Sequence, residues 1–142
     1  MASGRSHSIA SLTAATCFAV TAIYTVNPAL LWTAAGAFVG VALTPDLDHD
    51  DGTLSEYFMR GISDKLQRVW WAYWCPYRKL ISHRSFFSHF PIVGTIIRVM
   101  YLFWWLYLAG HPLPPAFING LVAVDFLHWS MDWRLFRRIF IQ

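Results

Sequence analysis

Long apolar runs, separated by short polar or turn-forming breaks, dominate the chain. Four can be drawn, at residues 9–26, 29–43, 91–109 and 115–133. Between the first two stands "VNP": Asn27 can cap a helix through its side-chain oxygen, and Pro28 suits a first helical turn. The last two are parted by the breaker "GHPLPP". A helix that crosses a bilayer needs roughly 20 apolar residues, and about 17 are tolerated. The pattern predicts an all-α fold: a polytopic membrane bundle of about four transmembrane helices, forming a single domain over residues 1–142. The second run is short, so it tilts little or sits inside the bundle.

The long connection at 52–82 contains "LQRVWWAYWCPYRKL", where Trp70, Trp71, Tyr73, Trp74 and Tyr77 stand among basic residues. Indole and phenol rings have an apolar body and a polar tip, which the headgroup layer satisfies together. The segment is read as amphipathic and lying on the membrane interface. An aromatic stripe buried in a core is the competing reading, and the flanking charges favour the interface.

Composition strengthens the membrane reading. The 142 residues are 56% hydrophobic and only 13% charged, where a soluble domain carries about 25% charged residues; mean hydropathy is +0.41. The net charge of +3 is spread through an apolar chain and fits an anionic lipid surface better than nucleic acid. Ten of the basic residues, Arg5, Arg60, Lys65, Arg68, Arg78, Lys79, Arg84, Arg134, Arg137 and Arg138, fall before the first run, between the second and third, or after the fourth. The two remaining connections carry none. Under the positive-inside rule both termini and the 52–82 segment face the cytoplasm. Arg98 alone lies within a span. Cys17 and Cys75 have no metal-type or disulfide spacing. "MASGRSHS" lacks a convincing cleavage site and is read as retained sequence leading into the first span.

Three polar clusters remain: "PDLDHDD" at 45–51, "HRSFFSH" at 83–89 and "DFLHWSMD" at 125–132. Up-and-down connectivity brings them together. His7 precedes the first span, and the return span delivers Asp46, Asp48 and His49 to the side where it began. His83 and His89 precede the third span, and the fourth returns with Asp125, His128 and Asp132. The last three are spaced i, i+3 and i+7, one stripe of a helix. An aspartate such as Asp125 in a membrane segment costs about 2.5 to 3.5 kcal/mol unless it is paired or coordinated. Imidazole and carboxylate donors without thiolate suit a divalent metal, zinc first, with manganese or iron in mixed sites. The surplus of donors allows one ion with outer carboxylates orienting the histidines, or two ions bridged by an aspartate. His111 faces the other side. Asp50 and Asp51 read as turn residues, and Ser82, Ser85 and Ser88 as helix caps. Arg84 and Arg98 either pair with aspartates or hold an anionic phosphate.

"SGRSH", "TPDLDHD", "WWAYWCPYRKLISHRSFFSHFPIVGT" and "DFLHWSMD" together resemble a family of small membrane proteins of unknown function described as metal-binding, over nearly the whole chain. More distantly, they are similar to integral-membrane metal-dependent hydrolases with a proline-aspartate-x-aspartate segment and a histidine-arginine…serine-histidine segment. The resemblance implies metal contacts at His7, Asp46, Asp48, His83, His89, Asp125 and His128. The function expected is a metal-dependent hydrolase acting on a phosphoester or lipid-like substrate at the cytoplasmic membrane face. In that reading Asp48 or Asp132 accepts the proton, Arg84 and Arg98 bind the substrate's anionic group, and membrane lipids are the surroundings. The alternative is a non-catalytic accessory or assembly protein with a structural metal site and a membrane-protein partner. Metal transport ranks last, because the ligands crowd one end of the spans rather than the midplane.

Overall fold

The computed structural model describes the backbone of residues 4–48, 53–82 and 85–140, and the side chains of residues 6–47, 53–82 and 85–132. Regular structure among them is entirely helical: α1 Gly4–Thr25, α2 Pro28–Ala42, a 3₁₀ turn Pro45–Asp48, α3 Leu54–Ile62, α4 Asp64–Leu80, α5 Phe86–His89, α6 Pro91–Leu108 and α7 Pro115–Phe140. Asn27 caps α2, its Oδ1 accepting from the amides of Ala29 at 3.0 Å and Leu30 at 3.3 Å, with Pro28 in the first turn.

Helix α2 is the hub, packed between α1 and α7. Small residues make that possible. Ala15, Ala37 and Val124 form one buried cluster along the seam. Gly36 and Gly120 let two backbones touch: a Cβ on Gly36 would lie 1.9 Å from the Phe117 carbonyl oxygen, and one on Gly120 would lie 2.0 Å from that of Thr33. Close approach through Gly and Ala is how helices associate where no hydrophobic effect pulls them together. A larger cluster gathers Leu43, Leu47, Trp74, Tyr77, Val99, Phe117 and Leu121.

Outward faces are apolar. Ile92, Ile96, Met100, Trp104 and Leu108 recur every four residues along α6, and all are exposed. Among the described residues three segments, Ser6–Thr25, Pro28–Leu47 and Pro91–Leu108, are long and apolar enough to cross a membrane. The fourth expected span, 115–133, falls within α7, which continues to Phe140 but is not among these three.

The 52–82 connection differs from its expected form. It contains two helices, and its aromatic row is divided between core and surface. Trp74 and Tyr77, spaced i and i+3, are buried, while Trp71 and Tyr73 are exposed. Helical periodicity explains the division, since a contiguous aromatic run cannot present all its members to one face. Trp74 meets Tyr77 edge-on at 5.2 Å. Tyr73 and Tyr101 each donate their hydroxyl to the other's backbone carbonyl, at 3.0 and 2.6 Å, tying α4 to α6. Helix α3 is inverted in polarity: Ser55 and Glu56 are buried, while Leu54, Tyr57, Phe58 and Ile62 face outward.

Candidate metal centre

Five side chains from four segments meet at one end of the bundle. His7 comes from the start of α1, Asp46 from the 3₁₀ turn, His89 from the end of α5, and His128 and Asp132 from α7 one turn apart. His7 stacks on His128 with ring centroids 3.9 Å apart and planes at 19°. Its Nε2 lies 3.1 Å from Asp132 Oδ1. His128 Nε2 stands between two carboxylates, 3.5 Å from Asp132 Oδ2 and 3.7 Å from Asp46 Oδ1. His89 Nε2 approaches the same Asp46 oxygen at 3.8 Å. The donors form two groups of three, His7, His128, Asp132 and Asp46, His89, His128, which share His128.

These distances fit a cation. Bonds of about 2.1 Å from zinc to nitrogen or oxygen place neighbouring donors about 3.4 Å apart in a tetrahedron and about 3.0 Å apart in an octahedron. The observed separations of 3.1 to 3.8 Å run from near the octahedral edge to somewhat beyond the tetrahedral one, and most are too long for hydrogen bonds. A second observation is independent of distance. Nδ1 of His7 and both ring nitrogens of His128 are buried without a hydrogen-bond partner among the described residues. An unsatisfied buried polar group costs about 1 to 3 kcal/mol, and coordination through Nε2 of His128 would relieve that cost at this atom. Charge agrees as well: two carboxylates among neutral imidazoles offset a divalent ion.

His89 is oriented from behind. Its Nδ1 lies 2.8 Å from Ser88 Oγ, and that hydroxyl can donate onward to the Ser85 carbonyl at 3.2 Å. In that arrangement Nδ1–H donates to Ser88 and Nε2 keeps its lone pair toward Asp46, the tautomer a ligand needs.

Four of the sequence-derived ligands, His7, Asp46, His89 and His128, are among the five that meet. Two other expected site residues sit apart from the donors. Asp125 is in neither donor group; its buried carboxylate pairs with Arg98 and accepts from the Thr95 hydroxyl. It stands three residues before His128, about 4.5 Å deeper along the helix axis, level with Arg98. Arg98, expected as a substrate contact, is only 2% exposed and meets Asp125 and the Ser88 carbonyl, 2.9 Å away. Asp132, expected as a proton acceptor, lies among the donors themselves; its i+4 spacing from His128 was the signal available. Thr95 carried no such signal, because Asp125 is 30 residues away in sequence, whereas Ser88 stands directly beside His89. His83, Arg84 and the side chain of Asp48 lie outside the described residues.

The fold and site define an all-helical protein with a histidine and aspartate centre suited to a divalent metal. The family model for uncharacterized metal-binding protein (DUF2227) matches residues 2–141, and the chain belongs to that family. Searches of curated proteins and of solved structures found no match. The more distant likeness to integral-membrane hydrolases has no support from these comparisons.

Proposed function

We propose that this protein is a membrane-embedded metalloprotein that holds one divalent ion, zinc first and manganese or iron as alternatives, and hydrolyses a phosphoester of a lipid-like substrate at the cytoplasmic membrane face. The observation that carries the reading is the asymmetry of the donor set. His7 and His128 side chains are buried, at 6% and 2% exposure, whereas Asp132 and Asp46 are at 29% and 36%. A centre walled by imidazoles and open along its carboxylates leaves room for water and substrate, as catalytic sites do. One ion rather than two follows from His128: an imidazole nitrogen has a single lone pair, and the same Nε2 faces both donor groups.

A divalent ion there would supply Lewis acidity toward a phosphoryl oxygen. Asp132, partly exposed and hydrogen-bonded to His7, is the carboxylate that would take a proton at the open side, with Asp46 and the imidazoles holding the ion. Arg84 follows His83, the second cluster's first histidine, in sequence and is the candidate contact for the phosphate's charge. The exposed apolar stripe of α6 and the outward-facing residues of α3 support a bilayer as the surroundings, with membrane lipids as neighbours.

A second reading is a structural metal. It is favoured by the origin of the donors, since α1, the 3₁₀ turn, α5 and α7 would all be tied by one ion. Metal analysis of the purified chain is expected to find one ion, lost in His128→Ala; metal-free wild type at high purity would sink the site. Metal-loaded protein should hydrolyse members of a phospholipid and prenyl-phosphate panel, with activity abolished by chelation. An inactive protein that chelation destabilises by about 4 kcal/mol, the linkage expected at 1,000 times Kd, would establish the structural reading instead.

A further inference from the structure

Two buried ion pairs lie behind the centre, and they are built alike. In the first, Arg98 pairs with Asp125 and donates through Nη1 to the Ser88 carbonyl at 2.9 Å. In the second, Arg78 pairs with Glu56 and donates through Nε to the Leu47 carbonyl at 3.0 Å. Ser88 immediately precedes His89, and Leu47 immediately follows Asp46. Each arginine therefore grips the backbone next to one of the two donors that no long helix carries. The other three, His7, His128 and Asp132, need no such device, because α1 and α7 hold them directly.

Stability alone does not account for the pairs. A buried ion pair contributes little net stability, since desolvation offsets its attraction, and well-packed apolar replacements are often neutral or better. An apolar pair cannot fix a carbonyl oxygen, whereas a guanidinium can satisfy a carboxylate and a carbonyl together from one rigid fork. Surrounding contacts restrict each fork further. Thr95 donates to Asp125, and a Cβ on Gly94 would lie 2.3 Å from the Ser88 carbonyl oxygen, so that glycine is what allows α5 to fold back onto α6. At the other pair, Thr53 caps α3 by accepting from the Glu56 amide at 3.3 Å, which seats the carboxylate under Arg78.

We infer that Arg98–Asp125 and Arg78–Glu56 are paired positioning clamps, which hold His89 and Asp46 at ligand distance from the helix-borne donors. The inference rests on the metal centre proposed above. Its test uses the full chain in detergent with cobalt(II) as probe, reading affinity by competition and coordination by the visible absorption spectrum. Arg98→Met with Asp125→Leu, and Arg78→Met with Glu56→Leu, remove each clamp without leaving a lone charge. Each double variant is expected to keep a wild-type thermal midpoint without metal, bind cobalt about 10- to 100-fold more weakly, and show a shifted spectrum. Ser88→Ala, a small change at a buried site, should likewise weaken binding by severing the contact with His89 and serves if a double variant fails to fold. Wild-type affinity and spectrum in folded variants would overturn the clamps while leaving the centre intact. A wild type that takes up no cobalt overturns the centre, and the clamps with it.

Discussion

Aspartates 125 and 132 are seven residues apart on one helix stripe, yet they do different work. Sequence spacing shows that both face the same way, but not how deep each lies or which cation stands at that depth. Arg98 meets the deeper one, and His7 and His128 meet the shallower. Asp125→Asn should therefore act as a broken ion pair. With the Arg98 charge left buried and uncompensated, thermal or denaturant unfolding should report a loss of about 3 to 5 kcal/mol. Adding Arg98→Met to the same chain should recover most of it. If the second substitution makes matters worse, Asp125 has a role beyond the pair. The imidazoles were easier to read, because histidines at the mouths of apolar runs have few other partners.

Helix boundaries followed from local chemistry, as the Asn27 cap and the proline-rich break before α7 illustrate. Rotation about each helix axis did not. In α4 the same aromatic run supplies core to one side and surface to the other, and the division depends on where Tyr101 and Val99 of α6 sit. The α2 and α7 crossing is the sharpest element-level case, since Gly36 and Gly120 matter only because each faces the other helix's backbone. Gly36→Val and Gly120→Val should force the helices apart, costing about 1 to 3 kcal/mol or more, with a matching fall in the thermal midpoint. Gly61→Val, where an added Cβ meets nothing within 4 Å, is the control. Equal midpoints for all three would mean that this crossing is not the one the protein uses.

At the scale of the whole molecule, the alternation of runs and breaks places the donor-bearing ends together and the Asn27 and Gly110 turns at the other end. In a bilayer this becomes a statement about sides. With Cys17 and Cys75 replaced by alanine, single cysteines at positions 27 and 112 should react with an impermeant maleimide from one side, and a cysteine at position 60 from the opposite side. Labelling of all three from the same side would remove the orientation that charge placement predicts. The placement of the donors also makes a metal at this end a tie between segments far apart in the chain.

From the sequence alone came the helical class, the breaks, the apolar exterior and the gathering of polar clusters at one end. Those properties follow from local periodicity and from the direction of the chain, both of which can be counted along one dimension. Only the tertiary structure separated candidate metal donor from ion-pair partner and core aromatic from surface aromatic, and showed Arg78 and Arg98 in buried ion pairs. These distinctions depend on depth and rotation, which are set by how closely glycine and alanine let neighbouring helices approach. They depend equally on which opposite charge a distant segment brings to the same level.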